Sequence, residues 1–152
     1  MISRLIFLIF GVSVCLLAQA NVTCDSTLNK EDLIKKLSDL VFSVIRISDN
    51  EIRGFAAREI SRIIVTSCAT ETIESSDKII DEIAGLLTDE DSGVVFSSAV
   101  ALGSLGVRAN RTLPALEAAA VREKQRIRPG FQPTVSTLAG INYAITEVRP
   151  KK

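Results

Sequence analysis

Residues 86–106, LLTDEDSGVVFSSAVALGSLG, decide the fold class of this 152-residue chain. A polar turn at residues 89–93 divides the stretch, and apolar side chains continue on both sides of it. Upstream, Ile79 and Ile83 lie four residues apart, which is the spacing of one helical face. Downstream, the second pattern ends at Gly106, a residue typical of helix C-caps. The stretch therefore predicts two helices joined by a short acidic turn.

The same helix–turn–helix pattern occurs three times along the chain. Asp49 and Asp91 lie 42 residues apart, and Ala57 and Ala99 have the same separation. No segment shows the sustained alternation of apolar and polar residues that half-buried strands require. We therefore predict an all-α fold without a sheet. Its six helices are expected at residues 30–45, 51–67, 77–87, 94–105, 113–126 and 134–148.

The repeat resembles a known family. Residues 86–106 look like a HEAT repeat, and they are most similar to the bacterial subclass called phycocyanobilin-lyase-type HEAT repeats. Residues 47–53, ISDNEIR, resemble the same motif with a shorter turn. Residues 113–116, LPAL, resemble the opening of a third unit, which lacks the acidic turn residue. An atypical last unit is common in repeat arrays, because it caps the stack.

The resemblance implies a short right-handed α–α superhelix of about three helix pairs. A two-helix period near 42 residues is the size class of HEAT and armadillo arrays, and about three stacked units make a continuous core. In this family an arginine after the turn often pairs with the turn aspartate. Arg53 holds that position, whereas Val95 replaces it in the second unit. The repeat domain is expected at residues 30–149, with units at about 30–68, 75–106 and 111–149, and a tail at 150–152.

The first twenty residues read as a secretory signal peptide. Arg4 precedes an apolar run at residues 5–17, and Ala18-Gln19-Ala20 has the small residues of a cleavage site. We therefore predict a signal peptide at residues 1–20, an N-terminal segment at 21–29, and export to the periplasm or out of the cell. The mature chain is expected to have no stable membrane insertion. An uncleaved anchor is the alternative, but a spanning helix needs about 20 apolar residues.

Two cysteines remain after cleavage, and an even number in an exported protein favours a disulfide. We predict a bridge between Cys24 and Cys68, with two free thiols as the alternative. Asn21 and Asn110 each begin an Asn-X-Thr sequon, the acceptor sequence for N-linked sugars. The sequons matter only in a eukaryotic source, and the repeat subclass favours a bacterial one.

Charge and composition exclude several classes of function. Eighteen basic and eighteen acidic residues balance, so the chain has no long-range field to hold nucleic acid. The absence of histidine removes the common nucleophile pairs and most zinc sites. We therefore predict no enzyme activity, no metal and no cofactor. The acidic residues 89–91 are interpreted as a turn rather than a calcium site, and the basic residues of 122–128 as a solvated helix end.

The remaining interpretation is a protein-binding or scaffolding module whose partner is another protein. The second helix of each pair would line the binding face. The helix at residues 94–105 is apolar on nearly all sides, which is typical of burial, although one of its apolar residues could anchor a partner. The alternatives are an accessory or lyase-like protein that binds a small molecule, implied by the resemblance, and a self-associating structural envelope component. The candidate binding residues are Arg53, Arg58, Glu59, Arg62, Val95, Phe96 and Asn142.

Overall fold

The computed structural model describes residues 29–66, 77–126 and 136–150. About 91% of these residues are helical, and none of them lies in a strand. The prediction of an all-α fold is therefore confirmed for the described part of the chain. The predicted signal peptide and both cysteines of the predicted disulfide lie outside the described residues.

The described residues contain six α-helices in three pairs, with bounds within two residues of those predicted. The third helix ends two residues early because Leu86–Thr88 tightens into a 3-10 turn. A second 3-10 stretch, Gly106–Thr112, joins the fourth helix to the fifth. The helices are α1 (Lys30–Arg46), α2 (Asn50–Thr66), α3 (Asp77–Gly85), α4 (Ser92–Leu105), α5 (Leu113–Arg126) and α6 (Ser136–Val148).

Polar residues cap the helix starts where the sequence places them. The side chain of Asn29 accepts a hydrogen bond from the N–H of Asp32 at 2.9 Å. Asp49 Oδ1 accepts from two N–H groups of the first turn of α2, at 2.9 and 3.1 Å. Asp91 Oδ1 does the same for α4, at 2.7 and 3.1 Å. The two turn aspartates of the repeat are therefore equivalent N-caps, each worth about 1 kcal/mol.

The helices form two layers. The most extensive contacts join α4 to α6 and α4 to α2, so the second helices of the three pairs lie side by side with α4 in the middle. The first helices, α1, α3 and α5, each contact their own pair partner. Between pairs, α1 contacts α3, and α5 contacts the Leu86–Thr88 turn. The core lies between the layers and runs through all three pairs.

Branched and small apolar side chains fill this core. Burying one Leu or Ile side chain contributes roughly 1.5–3 kcal/mol, so the large side chains supply most of the stabilisation. The small residues of α4 let its neighbours approach on both sides. The largest fully buried side chains are Leu37, Val41, Val44, Ile60, Ile64, Ile79, Ile83, Leu87, Leu102, Leu116 and Ile141.

Two glycines set the distance between α4 and α6. A Cβ atom at Gly103 would lie 2.9 Å from Cε1 of Tyr143 and 3.0 Å from the backbone Cα of Ala144. A Cβ at Gly140 would lie 2.6 Å from Cδ2 of Phe96. Each helix thus places an aromatic ring over a glycine of the other. Gly103 and Gly140 are therefore close-packing residues of the contact between α4 and α6.

Arginines from both outer pairs converge on the middle turn. Arg53 of α2 forms an ion pair with Asp89, with Nη2 and Oδ1 3.2 Å apart. From α5, Arg122 Nη2 donates to the carbonyl of Leu87 at 2.6 Å, and Arg126 Nη1 donates to the carbonyl of Glu90 at 3.2 Å. The interpretation of the basic run as a solvated helix end is therefore wrong for the half-buried Arg122, whereas Arg126 makes its contact while it stays exposed.

The first pair exposes positions that the second pair buries. The side chain of Ile52 is 55% exposed, whereas its repeat equivalent Val94 is 0% exposed. Ile45 and its equivalent Leu87 show the same contrast. Among the described residues no helix pair precedes α1 and α2, while the middle pair has a neighbour on each side. Ile45 and Ile52 are therefore exposed because no described helix pair covers them.

One continuous helical stretch is long and apolar enough to cross a membrane by length and composition. It runs over Ser92–Arg126 and so includes α4, the second 3-10 stretch and α5. More than half of its most apolar window is buried inside the protein. Its apolar side chains therefore serve the core between the layers, and the stretch is weak evidence for a membrane span.

Candidate functional site

Each second helix has an accessible edge on the side opposite its core residues. Two sets of positions on these edges, exposed on α2 and α6 and half-buried on α4, recur at the repeat period of 42 residues along the chain. The first helices cover the other side of this layer, so the three edges lie on one side of the molecule. We name this surface the open face. It is formed by Arg58 and Arg62 of α2, Val100 and Ser104 of α4, and Asn142 and Thr146 of α6.

The α2 part of the open face carries an aromatic ring and a fixed ion pair. Phe55 is 64% exposed, and the guanidinium carbon of Arg58 lies 5.9 Å from its ring centre. Arg62 donates two hydrogen bonds to the carboxylate of Glu59, at 2.6 and 2.7 Å. This bidentate arrangement fixes the plane of the Arg62 guanidinium.

The hydrogen bond from Arg62 lowers the pKa of the Glu59 carboxyl below its ordinary value. Partial burial of the carboxyl acts in the opposite direction, and the charges of Arg62 and Lys36 add smaller lowering effects. Glu59 is therefore ionised throughout the neutral range and neutralises one of the two arginines. Arg58 remains the cation that the α2 part of the open face presents beside an aromatic ring.

The middle and far parts of the open face are less charged. Val100 and Ser104 of α4 are half-buried, and the hydroxyl of Ser104 donates to its own helix at the carbonyl of Val100, at 2.9 Å. On α6, Asn142 is exposed, and beside it Tyr143 is 47% exposed although its ring edge rests on Gly103. This part offers one half-buried valine beside an exposed amide and an exposed phenol ring.

Three of the predicted binding residues are buried or are held by contacts within the protein. Val95 is 1% exposed, so it is a core residue and no partner can reach it. The apolar pattern of α4 could not distinguish its inward from its outward residues. Phe96 is half-buried and packs over Gly140, which makes it a contact between α4 and α6. Arg53 is held by Asp89 and by Asn50, whose Oδ1 accepts from its Nη2 at 2.7 Å.

The other four predicted residues, Arg58, Glu59, Arg62 and Asn142, lie on or beside the accessible edges of α2 and α6. Sequence reasoning missed the rest of the surface. Shifting Arg58 and Arg62 by the repeat period would have located the equivalent positions on α4 and α6. The repeat did not point to Phe55 or Tyr143, because the equivalent residues of the other pairs are not aromatic. The missed residues are Phe55, Val100, Ser104, Tyr143 and Thr146.

Two open cavities lie beside the first pair. One of about 270 Å³ is lined by Glu51, Ile52, Phe55 and Arg58, at the edge of the open face. The other, of about 390 Å³, lies between α1 and α3, and Phe42 and Ile45 form its apolar wall. The full lining of the second cavity is Ser38, Asp39, Val41, Phe42, Ile45, Lys78 and Glu82.

The acidic turn between α3 and α4 is occupied by its own neighbours. Asp89 Oδ1 accepts from the N–H of Asp91 at 2.8 Å and also pairs with Arg53, while Asp91 caps α4. Within residues 29–66, 77–126 and 136–150, no group of three or more His, Cys, Asp or Glu side chains could hold a metal ion. The carboxylates of the turn act in capping and in the contact between pairs.

Comparison of the chain with protein-family models, with curated proteins and with solved structures found no match.

Proposed function

We propose that this chain is an exported protein-binding module, a short right-handed HEAT-like solenoid that receives another protein on its open face. One observation carries the proposal. Exposed positions of α2 and α6 and half-buried positions of α4 recur with the period of the sequence, at 58, 100 and 142 and again at 62, 104 and 146. A stack of equivalent helices produces an extended surface of this kind, which repeat proteins use for binding.

Two features support the HEAT-like architecture. The second helices lie side by side with α4 between α2 and α6, as three stacked units require. The ion pair of Arg53 with Asp89 joins an arginine and a turn aspartate of the types that the HEAT resemblance names. Here the ion pair links the first unit to the second, so it also fixes the register of the two units.

The side chains of the open face favour a protein as its partner. Arg and aromatic residues carry a large share of the binding energy at protein interfaces. Phe55 and Arg58 combine these types at one end, and Tyr143 is exposed at the other. The mixed charges of the α2 part suit a partner that presents both polar and apolar groups better than a uniformly charged polymer.

Site-specific photo-cross-linking in the native envelope or secretome tests the proposal. A photoreactive amino acid would replace Ser104 or Asn142 on the open face. The matched controls would carry the same group at Lys35 or Gln125, which are exposed on the first helices. We expect the two open-face positions to give one and the same adduct and the controls to give none.

Equal adducts at all four positions, or none at Ser104 and Asn142 while a known complex is captured in parallel, would reject the open face as the binding site. An adduct that contains only this chain would show that the open face binds a second copy of the chain and not another protein. Phe96 is unsuitable for the test, because its substitution would disturb the contact with Gly140 as well as any partner.

A further inference from the structure

Asn110 is the exposed acceptor residue of its sequon. It lies in the Gly106–Thr112 stretch between α4 and α5, and its side chain is exposed. The next two residues have other partners. Arg111 pairs with Asp77 and Asp81 of α3, and Thr112 is buried. The acceptor amide is thus accessible, whereas the threonine of the Asn-Arg-Thr sequence is not.

The ion pairs of Arg111 place this stretch beside the first helices. Its Nη1 lies 2.6 Å from Oδ2 of Asp77, and its Nη2 lies 2.7 Å from Oδ2 of Asp81. Asp77 is the first residue of α3 and Asp81 is its middle residue. A bulky group on Asn110 would therefore stand at the margin of the first-helix layer and would leave the open face accessible.

We propose that Asn110 carries an N-linked oligosaccharide. The donor is an oligosaccharide attached to a lipid pyrophosphate, and a membrane-bound transferase of the secretory pathway catalyses the transfer. Nδ2 of Asn110 forms a bond to the anomeric carbon while the bond from that carbon to the pyrophosphate oxygen breaks. The lipid pyrophosphate leaves with the electron pair, and one amide proton passes to a carboxylate of the transferase. No oxidation or reduction takes place.

Thr112 determines when the transfer can occur. Its hydroxyl donates to the carbonyl of Ala109 at 2.7 Å, and its side chain is almost completely buried. A transferase must read the hydroxyl of the sequon as well as the asparagine. The folded stretch hides that hydroxyl, so the sugar is attached before residues 106–112 fold. The proposal rests on the export part of the proposed function and on a eukaryotic source, in place of the bacterial source that the repeat resemblance favours, because the donor lipid belongs to the secretory pathway.

The test is mass spectrometry of the full chain recovered from the cells that make it. Enzymatic deglycosylation in heavy-oxygen water converts a glycosylated asparagine to a labelled aspartate. We expect the label at Asn110 and not at Asn142. The latter is equally an exposed asparagine, but Ala144 stands where a sequon needs Ser or Thr, so it controls for spontaneous deamidation.

Two variants complete the experiment. Thr112→Ser keeps the hydroxyl and should keep the sugar, whereas Asn110→Gln should lose it with the helical content unchanged. An unlabelled Asn110 in chain recovered outside the cell would overturn this proposal and leave export standing. Unlabelled chain that stays in the cytosol would overturn both.

Discussion

Replacing Gly103 with alanine tests the close contact between α4 and α6. The added Cβ would lie 2.9 Å from Tyr143 Cε1 and 3.0 Å from the Cα of Ala144, whereas ordinary contacts begin at 3.4 Å. The second neighbour is backbone, so α6 itself must move by several tenths of an ångström. Overpacking of this kind costs about 1–3 kcal/mol. Alanine in a helix gains at most about 1 kcal/mol over glycine, so we expect a net loss of about 1 kcal/mol.

Gly54→Ala provides the matched control on α2. Its added Cβ would meet only Nη1 of Arg58, at 3.9 Å, which is an ordinary contact. The same substitution should therefore stabilise the protein by about 1 kcal/mol, through helix propensity and a less disordered unfolded chain. Chemical denaturation followed by circular dichroism would measure both free energies of unfolding. The two variants should differ by about 2 kcal/mol. If Gly103→Ala stabilises the protein as much as Gly54→Ala does, the close approach of α4 to α6 is not real.

Three further predictions concern the N-cap of α4, the ion pair of Glu59 with Arg62, and the two cysteines. Asp91→Ala should lower the free energy of unfolding by about 1 kcal/mol, because α4 loses its N-cap, and thermal unfolding would measure it. Since the folded-state pKa of Glu59 is depressed, its bond to Arg62 contributes stability at neutral pH that disappears as pH falls through that pKa. Between pH 7 and pH 3, the free energy of unfolding of the wild type should fall by this contribution, which is below about 1 kcal/mol for a surface pair. In Arg62→Met, the free energy of unfolding should not show this fall. If Cys24 and Cys68 are bridged, thiol titration of the unfolded mature chain should find no free thiol, and reduction should cost roughly 4 kcal/mol.

The sequence predicted local structure well because local signals determine it. Asp49 and Asp91 both cap their helices, and Gly106 ends α4 with a φ of 60°, a backbone conformation that favours glycine. The helix hairpin of α1 and α2 also follows from apolar spacing and a short turn. These features depend on residues within a few positions of one another, so no knowledge of the tertiary structure is needed to place them.

The surroundings of the candidate site could not be predicted in the same way. Val95 lies on a helix that is apolar on nearly every side, so spacing alone does not say which residues face solvent. Ile52 has the apolar character of a core position and is exposed because no described pair covers it. The bonds of Arg122 and Arg126 to the turn before α4 join residues more than thirty positions apart. Each of these outcomes depends on which pairs are neighbours, and a single sequence does not encode that directly.

The central claim is tested most directly by measuring how tightly the partner identified by photo-cross-linking binds the Arg58→Glu variant. Arg58 is exposed, and its ring contact with Phe55 is loose, so the free energy of unfolding should change by less than about 0.5 kcal/mol. Calorimetric titration should show binding weakened about tenfold, which is about 1.4 kcal/mol, whereas the exposed control Lys124→Glu on α5 should bind like the wild type. Unchanged affinity of Arg58→Glu, or equal weakening by Lys124→Glu, would contradict the assignment of partner binding to the open face.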